Sequence, residues 1–135
     1  MAKEVPVYVS GLSPLVLAYI GDAVYELLVR VYLVKKGLVK TEKLHSEAVR
    51  YTRATSQARL VALLEDFLTP QEKEVLRRGR NARPGHQPRH IGALDYRYAT
   101  ALESLIGHLY LCGNRERLEE IFSLIVRVVE KDFKL

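Results

Sequence analysis

Apolar residues recur every three or four positions through most of this 135-residue chain, and over no long stretch do they alternate with polar residues. The first spacing is that of an α-helix with one buried side, whereas a half-buried strand shows strict alternation. The pattern therefore predicts an all-α fold, a bundle of about six helices. Because this length fits one domain, residues 1–135 are expected to form a single unit.

Capping residues set the predicted ends of the helices. Ser13 and Pro14 should open the first helix, and Gly37 should end it. Thr69-Pro70-Gln71-Glu72 is a capping box that should open the fourth. A loop rich in Pro and Gly is expected from about residue 79 to 95. The predicted helices are 14–36, 42–53 capped by Thr41, 56–67 capped by Thr55, 70–79, 96–112, and 115–131 capped by Asn114.

The first predicted helix is apolar on almost every side, which indicates a central position in the fold. Its only charges before Lys35 are Asp22, Glu26 and Arg30, and their i, i+4, i+8 spacing places them on one face. One interpretation is a Glu26–Arg30 pair on a solvent-exposed stripe. The other makes Asp22 a metal ligand that lines a cleft, because a carboxylate on such a helix is costly without a compensating cation.

The fifth predicted helix is similar, and Glu103 is its only acid after Asp95. Gly21 beside Asp22, and Gly107 one turn beyond Glu103, would let the two helices approach closely and bring the two carboxylates together. Two carboxylate oxygen ligands completed by waters and a substrate phosphate suit Mg²⁺. The alternative is that Glu103 pairs with Arg97 or another cation.

The net charge of +5 is concentrated in one segment, RRGRNARPGHQPRH at 77–90, which has five arginines and no acid. The rest of the chain is formally neutral. Such a local patch indicates a polyanionic partner, with a solvated charged loop as the alternative. Its glycines and prolines are expected to let the segment bend into a groove: Gly79, Pro84, Gly85 and Pro88.

Other signals place the chain in the cytoplasm. Cys112 is the only cysteine and cannot form an internal disulfide. No apolar run reaches the roughly 18 residues of a membrane span, and the N-terminus lacks the pattern of a secretory signal. The cytoplasm is then the expected compartment.

Two segments resemble the signature motifs of the ribonuclease III family: LAYIGDAVYELLV at 17–29 and TALESLIGHLYL at 100–111. Their order and spacing also fit. The chain length, RGRNA at 78–82 and YRYATALESLIG at 96–107 resemble the Mini-ribonuclease III branch, a short bacterial form without a double-stranded-RNA-binding domain. The resemblance implies the ribonuclease III-type endonuclease fold over nearly the whole chain.

By position, Asp22 corresponds to the aspartate of the first motif and Glu103 to the glutamate of the second. The resemblance implies that both are catalytic and bind the metal. Two further carboxylates of the larger family members would fall where this chain has Ala18 and Thr100. This departure leaves open whether one or two metal ions bind and whether Thr100 or His108 contributes.

The resemblance implies a phosphodiester hydrolase: a Mg²⁺-dependent homodimer that cuts double-stranded RNA, leaving a 5′-phosphate and a 3′-hydroxyl. Its implied role is maturation of the large-subunit (23S) ribosomal RNA precursor, with a ribosomal protein as a candidate helper. Two other functions stay open, a non-catalytic double-stranded-RNA-binding module and a purely structural dimerisation domain. The candidate RNA-binding residues are Arg77, Arg78, Arg80, Asn81, Arg83, His86 and Arg89.

Overall fold

The computed structural model describes residues 8–83 and 92–132, and within them the chain is helical with no strand. The all-α prediction is therefore confirmed. A short 3₁₀ turn, Val9–Gly11, precedes the first helix, and a second, Glu65–Phe67, follows the third. The helices are α1 Pro14–Lys35, α2 Thr41–Thr52, α3 Ala54–Leu64, α4 Pro70–Asn81, α5 Ala93–Leu111 and α6 Arg115–Asp132.

Most of the predicted helix ends are confirmed by their hydrogen bonds. Ser13 accepts a bond from the Val16 amide at the start of α1. The Thr69 hydroxyl and the Glu72 carboxylate make both bonds of the capping box that opens α4. Gly37 and Gly113 have φ values of 103° and 73°, the left-handed conformation that ends a helix. These helix ends are set by residues within about one turn of them, so they can be predicted from the sequence.

The predicted caps of α2 and α3 were wrong. Thr41 is the first residue of α2 rather than its cap, and Thr55 lies inside α3. Arg53 has extended backbone and forms a sharp corner between the two helices. Two side chains of α3 hold this corner: Gln57 donates to the Thr52 carbonyl at 2.8 Å, and Ser56 accepts from Arg53 at 3.2 Å.

The structure also corrects the predicted loop. α4 continues two residues past Gly79, because Gly79 packs against α5, where a Cβ atom would lie 2.8 Å from the Ser104 hydroxyl. Gly79 is thus a packing residue, not a hinge. Arg80 and Asn81 therefore lie on α4, together with Arg77 and Arg78, rather than in the predicted loop. Outside the described residues lie Pro84, Gly85, His86, Pro88 and Arg89.

α5 holds the central position that the sequence analysis gave to the first helix. It begins at Ala93, three residues earlier than predicted, and packs against α1, α3, α4 and α6. α1 buries one side, including Tyr25 and Val29, but leaves Tyr19 and Leu27 exposed. No helix in the described part of the chain is both long and apolar enough to cross a bilayer.

An ion pair between the half-buried Arg117 and the buried Glu72 connects the outer helices α6 and α4. Arg117 of α6 makes two hydrogen bonds of 2.8 and 2.9 Å to Glu72 of α4, and a third of 2.7 Å to the Phe67 carbonyl. The hydrogen bonds from Arg117 lower the pKa of Glu72, so the carboxylate stays charged although it is buried. α4 is therefore fixed at its N-terminal end by Arg117 and near its C-terminal end by Gly79.

Candidate active site

The backbones of α1 and α5 touch where they cross. A Cβ atom added to Gly21 would lie 1.7 Å from the Glu103 carbonyl oxygen, and one added to Gly107 would lie 1.9 Å from the Leu17 carbonyl oxygen. No side chain fits at either place. The close helix approach expected from the two glycines is therefore confirmed, and it brings Asp22 and Glu103, each next to this contact, to the same place.

The two carboxyl groups interact directly. Burial, then the negative charge of Asp22 and a hydrogen bond with it, raise the pKa of Glu103 to about 8. Glu26, one turn along α1, adds a smaller repulsion. At neutral pH Glu103 therefore holds a proton that a nearby cation would displace. The alternative pairing of Glu103 with Arg97 does not occur: no ion pair among the described residues includes Glu103.

The structure contains the Glu26–Arg30 pair of one interpretation of the charged stripe on α1 and the cleft of the other, whereas metal binding by Asp22 stays a prediction. Arg30 pairs with Glu26 at 3.5 Å on the exposed surface. Asp22, also exposed, lines a shallow cleft of about 490 Å³ together with Tyr19, Glu26 and Arg30. Asp22 is accordingly the open member of the acid pair, and Glu103 is the more enclosed one.

Gln57 is a buried neighbour of the acid pair that the sequence analysis missed. Only 4% of its surface is exposed, and its amide lies close enough to Glu103 to lower the pKa of that carboxyl group, which favours the charged carboxylate. Its Oε1 atom is buried and has no hydrogen-bond partner within residues 8–83 and 92–132. One sequence signal could have found it: Gln57 lies one and two turns before Leu60 and Leu64, on the apolar side of α3.

The two positions where larger family members are expected to carry further acids are both buried here. Ala18 is 8% exposed, and Thr100 donates its hydroxyl to the Tyr96 carbonyl of its own helix at 2.9 Å. Over 8–83 and 92–132, no three His, Cys, Asp or Glu side chains converge in a metal-binding arrangement. His108 is the other residue whose contribution to the metal site was left open. Its Nε2 atom lies 3.7 Å from the Sγ atom of Cys112, one helical turn further along the chain.

The described residues of the basic segment differ in their exposure and in whether an acid engages them. Arg77 is engaged by Glu74 through hydrogen bonds from both its Nε and Nη2 atoms. Arg78, Asn81 and Arg83 are exposed, and Arg80 is half-buried. They lie at the end of α4 that packs on α5 through Gly79, so the helix that carries Glu103 also supports the basic segment.

Comparison with known proteins agrees with this geometry. The family model described as Ribonuclease III domain matches residues 15–114, a range that includes both acids and the α1–α5 crossing. A Fusobacterium nucleatum protein solved by X-ray crystallography (FN1578) superposes with a TM-score of 0.79 at 27% identity, over 92% of this chain and 99% of that one. The fold and the paired carboxylates thus define a ribonuclease of the ribonuclease III class.

Curated relatives narrow the assignment. Mini-ribonuclease 3 of Thermoanaerobacter sp. is 46% identical over 123 residues, which cover 91% of this chain and 87% of that protein. Mini-ribonuclease 3 of Brevibacillus brevis is 47% identical over 87% of this chain and 88% of its own. The chain therefore belongs to the Mini-ribonuclease 3 family and is an endoribonuclease. The ribonuclease III family acts on double-stranded RNA and generally depends on divalent metals.

Proposed function

We propose that this chain is a Mg²⁺-dependent endoribonuclease that cuts double-stranded RNA, with Asp22 and Glu103 as its catalytic, metal-binding carboxylates. The observation that carries the proposal is the acid pair itself, which the α1–α5 contact holds together although burial and repulsion raise the pKa of Glu103 to about 8. A pair that is this costly to charge is typical of a site completed by a cation.

The residues present fit a divalent cation. Carboxylate oxygens are donors that Mg²⁺ prefers, and the site supplies two carboxyl groups; close to them, the buried Oε1 atom of Gln57 has no hydrogen-bond partner among the described residues. When bound, such an ion activates water for attack on a phosphodiester and neutralises charge on the phosphate. Asp22 and Glu103 are the residues that would hold the ion.

The chain's own residues supply position and access. Asp22 presents its carboxylate to the open cleft, where a phosphate of the substrate can approach. Glu103 is held behind it by the helix crossing and by Gln57. Because both acids project from helices whose backbones touch, their separation is fixed before substrate binds, as catalysis by orientation requires.

Exposed basic residues at the end of α4 would contact the RNA backbone. The proposed contacts are Arg77, Arg78, Arg80, Asn81 and Arg83, together with His86 and Arg89, which lie beyond the described part. Double-stranded RNA is recognised mainly through its phosphates and 2′-hydroxyls, which suits flexible arginines. On the family resemblance alone, we extend the proposal to cytoplasmic maturation of the 23S ribosomal RNA precursor, with a ribosomal protein as candidate helper.

The test of the metal-dependent function uses a long RNA duplex and a single-stranded RNA of the same sequence. Wild-type protein should cut only the duplex, only with Mg²⁺, and leave 5′-phosphates. Asp22→Asn and Glu103→Gln should each abolish cleavage while duplex binding persists, because each removes a metal ligand but no contact to the RNA backbone. Glu116→Gln, a neutralised exposed acid on α6, is the matched control. Equal cleavage in EDTA, or by Asp22→Asn, would contradict the proposal.

A homodimer is proposed from the exposed apolar side of α1. Tyr19, Leu27, Val31 and Val34 lie along this side at helical spacing, with 79, 62, 42 and 59% of their surfaces exposed. Such a stripe beside the cleft is what a second copy would cover. Sedimentation equilibrium should give the mass of two chains for the wild type and of one for Leu27→Glu. Leu63→Glu, on α3 and 41% exposed, should stay dimeric; a monomeric wild type would refute the dimer.

A further inference from the structure

Gln57 joins three elements through one buried side chain. It belongs to α3, where its neighbours on the same side, Leu60 and Leu64, are core residues. Its Nε2 atom donates to the Thr52 carbonyl at the end of α2 at 2.8 Å, and its amide lies close enough to Glu103 of α5 to favour the charged form of that carboxyl group. The amide therefore ties one carboxylate of the site to the rigid corner between α2 and α3.

Burying the Gln57 side chain costs free energy, which suggests that it has a role beyond packing. The Oε1 atom of Gln57 is buried without a partner among the described residues, and an unsatisfied buried acceptor costs about 1–3 kcal/mol. An apolar side chain of similar size would avoid that cost. Water bound to a cation at Asp22 and Glu103 would be a donor for this oxygen. Side chains that hydrogen-bond a metal ligand from behind fix its orientation and strengthen metal binding.

We propose that Gln57 is a positioning residue of the metal site: its amide nitrogen holds the Glu103 carboxylate in place, and its free oxygen accepts a hydrogen bond from water that accompanies the cation. The inference rests on the proposed metal site at Asp22 and Glu103. Gln57 acts through Glu103 and does not contact the RNA. Its loss should leave the fold intact but lower the affinity of the acid pair for a divalent ion.

The test measures Mn²⁺ binding to the RNA-free full-length chain by calorimetry, with Mg²⁺-dependent cleavage as a second readout. Gln57→Met keeps the length of the side chain without its polar atoms. Gln57→Asn keeps the amide but is one methylene too short to reach both Thr52 and Glu103. Ser56→Ala is the matched control, because Ser56 is equally buried at 4% and contacts Arg53 instead of the acids. Asp22→Asn marks the loss of the site.

Both Gln57 variants should weaken Mn²⁺ binding about tenfold and raise the Mg²⁺ concentration for half-maximal cleavage by a similar factor. Ser56→Ala should stay within about twofold of wild type, although it too removes a buried hydrogen bond. Thermal unfolding shows which variants are folded at the assay temperature. If Gln57→Met is unfolded there, the comparison with wild type uses Gln57→Asn.

Unchanged Mn²⁺ affinity in a folded Gln57 variant would overturn the inference, as would a wild type that binds no Mn²⁺. A Ser56→Ala variant as impaired as the Gln57 variants would also overturn it, since general destabilisation would then explain the loss. A wild type that binds Mn²⁺ through Asp22 but leaves the RNA duplex intact would contradict the proposed cleavage and still support the role of Gln57. The two proposals can thus fail separately.

Discussion

α5 is crossed by α1 on one side and by α4 on another, and both crossings use glycine in different ways. At the α1 crossing each helix contributes a glycine, and the atoms that an added Cβ would meet are backbone carbonyl oxygens at 1.7 and 1.9 Å. At the α4 crossing only Gly79 contributes, and the nearest atom is the Ser104 side-chain hydroxyl at 2.8 Å. At the α1–α5 crossing the nearest atoms belong to the backbone and cannot move aside. At the α4–α5 crossing the nearest atom belongs to a side chain.

The difference matches what each crossing carries. The α1–α5 contact sets the separation of Asp22 and Glu103, and shifts of about 1 Å in such positions are enough to impair catalysis strongly. The α4–α5 contact carries a basic helix end with exposed Arg78, followed by exposed Arg83. Long arginine side chains can follow a phosphate through small shifts of the backbone. Tight packing is therefore found where the proposed metal site needs a fixed geometry, and looser packing where the proposed RNA contacts need only positive charge.

The largest effect is expected from Gly21→Ala. The new Cβ atom cannot fit beside the Glu103 carbonyl, so α1 and α5 must move apart and carry the two acids with them. Alanine favours a helix by about 1 kcal/mol over glycine. We nevertheless expect a net loss of about 3 kcal/mol in the free energy of unfolding, because overpacking against backbone has no cheap relief. Urea denaturation measures the stability loss, and duplex cleavage should fall to background.

Gly11→Ala is the matched control for this substitution, because no atom lies within 4 Å of the position that its Cβ would take. Its stability and cleavage rate should equal those of wild type. If Gly21→Ala behaved like Gly11→Ala, the α1–α5 contact would not determine the position of the acids, and the contrast between the two crossings would disappear.

Gly79→Ala should fall between these two variants. Its Cβ would meet the Ser104 hydroxyl, which can rotate away only by giving up its hydrogen bond to the Pro14 carbonyl, and the Ala101 Cα atom at 2.9 Å, which cannot rotate away. With the gain in helix propensity offsetting part of the clash, a net loss of about 1 kcal/mol is expected. Cleavage at saturating RNA should remain, because Asp22 and Glu103 are not displaced. Loss of activity equal to that of Gly21→Ala would show that the α4 contact also sets the site.

The sequence was most informative where structure depends on neighbouring residues. Ser13-Pro14 and the Thr69–Glu72 capping box act within one helical turn, and both were predicted correctly. The pairing of Asp22 with Glu103 was also predictable, because each acid stands beside or one turn from a glycine on an apolar helix. Their roles in metal binding and catalysis remain predictions.

Features that depend on tertiary contacts could not be predicted. Gly79 has the low helix propensity of a helix end, and only its packing against α5 shows why α4 continues through it. The spacing of Gln57 from Leu60 and Leu64 places it on the apolar side of α3, but only the fold shows that it is buried beside Glu103. Similarly, the central helix was predicted to be α1 from its apolar composition, which does not distinguish core contacts from an exposed apolar side.

The smallest effects are expected from the exposed arginines of the basic segment. Arg78→Ala and Arg83→Ala should each weaken binding of an RNA duplex about threefold at low salt and reduce the slope of log affinity against log salt by about one, without changing thermal stability. Arg77→Ala should lose less, because Glu74 already engages that guanidinium. Arg127→Ala, an exposed arginine on α6, is the control and should bind like wild type. Filter binding over a range of salt concentrations distinguishes these cases, and equal losses for Arg78→Ala and Arg127→Ala would mean that the RNA senses the overall charge rather than the end of α4.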